Sequence, residues 1–109
     1  NNINNMEIQV NDGNFQKEVL ESERLVLVDF WAPWCGPCRM LEPVIENIAN
    51  LKKDLKICKV NVDENTQYAQ KYGVMSIPNI FLFKNGEVVE NFIGLQDIDT
   101  YLNAIDKHS

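Results

Sequence analysis

The stretch that most restricts this chain's fold is Arg24-Leu25-Val26-Leu27-Val28-Asp29-Phe30, an apolar, partly β-branched run. It shows no alternation of apolar and polar residues, so it reads as a strand covered on both faces rather than a half-solvated one. A doubly covered strand needs helices on either side, and the rest of the chain supplies them. Met6, Ile8 and Val10 alternate with Glu7 and Gln9 as a half-buried strand. After the break at Asn11-Asp12-Gly13-Asn14, residues Phe15, Val19 and Leu20 fall on one face of a short helix.

From Cys35 onward the period lengthens. Leu41, Val44, Ile45, Ile48, Ala49 and Leu51 recur at spacings of three and four, an amphipathic helix of about four turns. Pro43 lies inside it and predicts a kink. Leu55 to Val62 returns to strand character, and Asp63 or Asn65 caps a helix that runs to about Tyr72 and stops at Gly73. Asn79–Lys84 and Glu87–Phe92 flank Asn85-Gly86, a strong hairpin signal. Ile98, Tyr101, Leu102 and Ile105 line a last helix. The order β-α-β-α-β-α-β-β-α describes an α/β fold: a mixed five-stranded sheet between helical layers, with parallel pairs and an antiparallel edge.

The chain has 109 residues, enough for one domain over 1–109, with residues 1–5 read as a frayed terminus. Its net charge of −6 argues against a nucleic-acid partner and against attachment to anionic lipid. No apolar stretch approaches the ~20 residues that cross a bilayer. The polar start, Asn1-Asn2-Ile3-Asn4-Asn5, has neither the basic nor the apolar region of a secretory signal. Three cysteines do not make a secreted disulfide framework. A reducing compartment follows: the cytoplasm, or an organelle after removal of a targeting segment.

The chemistry concentrates at Trp34-Cys35-Gly36-Pro37-Cys38, where the covered strand gives way to the long helix. Residues i and i+3 at a helix start share a face, and their Cα atoms lie within disulfide range. Pro37 fits the first helical turn, and Gly36 leaves room for another chain. Cys35 sits beside the unpaired N–H groups and positive dipole end of the helix, which favour a thiolate. Cys38, a turn deeper, is the resolving thiol. A structural disulfide this short would constrain little of the unfolded chain. A zinc site would have to recruit Cys58 and His108, one in a core strand and the other next to the last residue.

Asp29 interrupts the apolar strand six positions before Cys35. Burial should raise its pKa. It is either a proton acceptor for Cys38 or a structural carboxylate satisfied by Lys59 or backbone donors. Pro78, after Ile77, is an ordinary strand-entry proline or a cis one, and the spacing does not choose. Cys58 reads as a small buried hydrophobe, with regulatory oxidation as the minor option. Trp31 reads as packing and Trp34 as a contact surface for substrates.

Val28-Asp29-Phe30-Trp31-Ala32-Pro33-Trp34-Cys35-Gly36-Pro37-Cys38-Arg39 closely resembles the thioredoxin active-site signature. The likeness continues through Pro43, Lys59-Val60-Asn61-Val62-Asp63, Tyr72-Gly73-Val74, Ile77-Pro78, Phe83-Lys84-Asn85-Gly86-Glu87 and Ile93-Gly94. The resemblance implies the thioredoxin fold, with five strands and four helices, and a general protein disulfide reductase. It makes Cys35 the exposed nucleophile and Cys38 the resolving cysteine, joined as the redox-active disulfide. Asp29 becomes the buried acid with Lys59 near it, and Pro78 becomes cis. Trp34, Ile77, Pro78 and Gly94 border an apolar groove for extended polypeptide.

The same resemblance implies disulfide-containing target proteins and re-reduction by a thioredoxin reductase. It implies no bound cofactor and no metal, and a monomer is expected. Gly36-Pro37 between the cysteines resembles reducing members, whereas oxidising and isomerising relatives usually carry His there. The alternatives are such an oxidant or isomerase, or a binding or assembly subunit with non-essential cysteines. Two departures stand out. Asn79 replaces a common Thr, and Glu42 puts a charge one turn beyond Cys38 where a small residue is usual.

Overall fold

Five strands form one sheet in the order β1-β3-β2-β4-β5 in a computed structural model that describes residues 7–109. The expectations for Met6 and for the frayed residues 1–5 lie outside the described residues. The strands are β1 (Glu7–Val10), β2 (Val26–Trp31), β3 (Lys56–Asn61), β4 (Asn79–Lys84) and β5 (Glu87–Ile93). β3 runs parallel to both β1 and β2, while β4 is antiparallel to β2 and β5 to β4. β2 occupies the centre and its first five residues are buried, as a strand with no polar alternation requires.

Four helical segments cover the sheet: a π-helical turn (Gln16–Leu20), α1 (Gly36–Leu51), α2 (Gln67–Lys71) and α3 (Ile98–His108). The first is wider than the expected α-helix, closed by an i→i+5 bond from Glu21 N–H to the Gln16 carbonyl (2.9 Å). α1 continues through Pro43 as a single sixteen-residue element. Asp97 caps α3, its carboxylate accepting from Thr100 N–H at 3.1 Å.

Neither Asp63 nor Asn65 caps α2, whose N-terminal flank is Thr66 without a side-chain cap. Both are engaged elsewhere. Asp63 accepts from the Trp34 indole, and Asn65 accepts from Asp12 N–H and donates to the Asn61 carbonyl, bracing the turn after β3. Gly73 ends the helix region as expected, at φ 69°.

Asn85 and Gly86 both take positive φ (53° and 83°), the two-residue turn that twists with the strands it joins. A Cβ on Gly86 would lie 2.9 Å from the Leu20 carbonyl oxygen, so this hairpin also needs glycine for space.

Strand alternation divides the core in two. Val26, Val28, Phe30, Cys58, Val60, Phe81 and Phe83 face the π-helical turn and α2, packing with Phe15 and Tyr68. Leu27, Ile57, Ile80 and Leu82 face α1 and α3, packing with Leu41, Ile45, Ile48, Tyr101 and Ile105. Asp29 and Lys59 follow Leu27 and Ile57 by two residues, so they stand on this second face, beneath α1.

Candidate active site

α1 begins where β2 has delivered the chain to the edge of the sheet. Cys35 is its N-cap residue, in extended conformation (φ −85°, ψ 110°), and its Sγ accepts from Cys38 N–H at 3.2 Å. The sulfur thus takes the capping place that Ser or Asp usually fills. Pro37 lies in the first turn, where its missing N–H has no bond to lose. Cys35 and Cys38 are joined as a disulfide, with Cα atoms 5.2 Å apart. A Cβ built on Gly36 meets nothing within 4 Å, so open space lies beside the residue that follows Cys35.

The geometry corrects one expectation. Cys35 is not an exposed residue: it is 3% accessible, against 2% for Cys38. Capping draws the Cys35 sulfur inward over the helix N-terminus, and the Ile77 carbonyl oxygen lies 3.8 Å from it. Ala32, Trp31, Val62 and Ile77 pack around the pair. What separates the two cysteines is therefore position at the helix mouth, not exposed area.

Ile77–Pro78 is a cis peptide bond, and it brings Ile77 against the disulfide. Gly94, at φ 83°, reaches Pro78 from the far end of β5, its N–H donating to the Pro78 carbonyl at 2.8 Å. Among the described residues the Ile77 N–H makes no backbone hydrogen bond. Trp34 is 67% exposed and held by its indole N–H to Asp63 (3.1 Å). A groove of about 360 Å³ runs from Trp34 past Val62, Ala69 and Val74 to Met75, Ser76 and Ile77. Met75, almost wholly exposed at its rim, carries no signal in periodicity or motif.

Asp29 is buried, and burial pushes its carboxyl up to about 7, with Lys59 pulling down and Glu42 and Glu7 pushing further up. Among the described residues its Oδ1 has no hydrogen-bond partner. The alternative that Lys59 or backbone donors satisfy this carboxylate does not hold for that atom. Lys59 is the register neighbour of Asp29 across β2 and β3, yet its ammonium is hydrogen-bonded to Glu42 and lies 3.9 Å from Glu7. It also sits 4.6 Å from the Trp31 ring centre.

The residues a zinc site would need are not gathered. Cys58 belongs to the opposite face of the sheet, where burial pushes its thiol up to about 12, and His108 pairs with Glu90 at 2.7 Å. Asn79 is not among the residues lining the groove; its Oδ1 accepts from Asn91 Nδ2 on β5 (2.6 Å).

Comparison with known proteins agrees with this geometry. The Thioredoxin family model matches residues 6–107. Thioredoxin 1 of Synechococcus elongatus is 51% identical over 100 residues, covering 91% of this chain and 94% of that one. Thioredoxin of Rickettsia felis is 54% identical over 99 residues, covering 90% and 94%. With a disulfide capping the helix after the central strand and a cis-proline beside it, the chain belongs to the thioredoxin family of protein dithiol–disulfide oxidoreductases.

Proposed function

We propose that the chain works in the reducing direction, as a general protein disulfide reductase. The family acts on disulfide-containing proteins and depends on a reductase partner. The direction, the residue roles and the identity of that partner are our reading. The observation that carries it is the Cys35 sulfur at the N-cap of α1, against the cis Ile77–Pro78 peptide.

In the reduced form the α1 N-terminus and the Cys38 N–H stabilise a Cys35 thiolate. That thiolate attacks one sulfur of a target disulfide, forming a mixed disulfide and releasing the other target sulfur as a thiolate. Cys38 then gives its proton to the Asp29 carboxylate, directly or through a water. The resulting Cys38 thiolate attacks Cys35 Sγ, which expels the second target thiolate and closes Cys35–Cys38. Two electrons have moved from this chain to the target. A thioredoxin reductase, drawing on NADPH or ferredoxin, supplies two electrons to reopen the bond, so no resident cofactor is required.

Trp34, Ile77, Pro78 and Gly94 hold the target. The Ile77 N–H, which makes no backbone hydrogen bond among the described residues, offers an extended peptide a strand-like one, and backbone pairing accepts many sequences. A target docked there brings its disulfide beside Ile77, whose carbonyl oxygen lies 3.8 Å from the Cys35 sulfur. Lys59, Gly36 and Pro37 support the site. The protein acts as a monomer in the cytoplasm; among the described residues no helix is long and apolar enough to cross a membrane.

A Cys38→Ser variant tests the scheme: it should accumulate mixed disulfides through Cys35, found by mass spectrometry. Equilibration with glutathione tests direction, since a reductant's disulfide resists reduction by that buffer and an oxidant's does not. Adducts at Cys58 in place of Cys35, or ready reduction by glutathione, would refute this reading.

A further inference from the structure

Between α1 and the sheet, among the described residues, four acids gather around one lysine. Glu7 on β1, Glu42 and Glu46 on α1 bring carboxylate oxygens within 4.8 Å of one another, and Asp29 on β2 adds a fourth acid. Among the described residues Lys59 is the one ammonium paired with these acids, its side chain 6% exposed. Tyr101 approaches Asp29 from α3, with its hydroxyl taken up by Gln96 N–H at 3.2 Å; β4 presents only Ile80 opposite Asp29.

Parallel register makes Asp29 the natural partner of Lys59, since side chains of paired residues on adjacent parallel strands stand on one face. The ammonium nevertheless goes to Glu42 and, at 3.9 Å, to Glu7, and among the described residues it makes no ion pair with Asp29. Glu42 can compete because it lies one turn after Cys38 on the same helix face, over Lys59. Its side chain is 36% exposed, so ionising it costs less desolvation than ionising Asp29.

We propose that Glu42 is a positioning residue for Asp29: it holds the Lys59 ammonium on its own carboxylate and leaves the Asp29 carboxyl without a direct ion pair. Glu42 touches neither sulfur nor target. It acts by deciding whether Asp29 is a free carboxyl or half of an ion pair. A free carboxyl is ready to take the Cys38 proton near neutral pH, whereas one paired to Lys59 would ionise earlier and be a weaker base. This role in turnover rests on Asp29 accepting the Cys38 proton, but the hold on Lys59 does not.

The test is the titration of the Asp29 side-chain carbon by NMR in the folded protein. Glu42→Gln keeps size and polarity but loses the charge, so Lys59 is released. The Asp29 midpoint should fall by about one pH unit, the lower end of what an adjacent cation produces. Direct repulsion between Glu42 and Asp29 would also lower it, so the comparison is repeated in a Lys59→Met background. There the effect of Glu42→Gln should shrink by at least half. An unchanged midpoint, or an equal fall with and without Lys59, would overturn the proposal. Asp29→Asn separately tests the underlying reading: resolution of a trapped mixed disulfide should lose its acid limb. If that limb persists, Asp29 is not the proton acceptor, whereas the NMR result still decides what Glu42 does to Lys59.

Discussion

The two faces of the central sheet are built from alternate residues of the same strands, yet they solve opposite problems. On the face toward the π-helical turn and α2, Phe30 meets Phe15 (ring centres 6.3 Å) and Phe81 edge-on (5.5 Å), while Phe15 stacks on Tyr68 at 4.0 Å. That face contributes packing alone. The face under α1 begins in the same way, with Leu27 and Ile57, and then turns polar at Asp29 and Lys59 as it nears the dithiol. One face maximises stability; the other gives some up to keep a titratable group dry.

The largest expected effect breaks the packed face. Phe30→Ala removes a fully buried ring and should cost about 3–5 kcal/mol in urea unfolding, with no change in the sign of the pH dependence. A loss under about 1 kcal/mol would mean that the aromatic cluster is loosely packed.

Asp29→Asn should act in the opposite direction. The carboxyl's ordinary value is 3.8 and its folded value about 7, so the folded state binds the proton more tightly than the unfolded one. The stability this brings is fully present below about pH 4 and is lost as pH rises through 7. Removing the titration should therefore stabilise the protein at pH 8 relative to pH 4, by on the order of 3 kcal/mol. Unfolding of both proteins at the two pH values checks the sign. A variant less stable at pH 8 would show that Asp29 is a satisfied structural carboxylate after all.

Cys58→Ser sharpens the contrast on the dry face. It sets a hydroxyl among Val28, Val60 and Phe residues and should cost about 1–3 kcal/mol if no partner is found, with the redox equilibrium of Cys35–Cys38 unchanged. The smallest effect belongs to an ion pair outside both faces. Lys52→Ala, at the exposed bridge to Asp106, should shift stability by no more than about 0.5 kcal/mol, a useful zero against the sheltered Lys59 pairs.

What the sequence disclosed divides along similar lines. Features set by local chemistry or by strict periodicity were legible: the unalternated β2 run, the α1 stripe from Leu41 to Ala49 (Leu51, expected to continue it, is exposed where the helix ends), the Asn85-Gly86 turn and the Cys35/Cys38 spacing. Features decided by competition between distant groups were not. Asp63 and Asn65 have good capping side chains, but Trp34 and Asp12 claim them first. Lys59 was readable as a neighbour of Asp29, but its choice of Glu42 depends on how α1 lies across β3. The covering of Cys35 follows from Ile77, more than forty residues away, and Met75 gained its place at the groove rim from tertiary structure alone.

The central claim is that chemistry enters through the sulfur that caps α1. Alkylation of the reduced protein at pH 7 with limiting reagent, with sites read by mass spectrometry, addresses it most directly. Cys35 should be modified at least about tenfold faster than Cys38, with Cys58 unreacted until the fold is opened. Equal labelling of Cys35 and Cys38, or faster labelling of Cys38, would contradict the account.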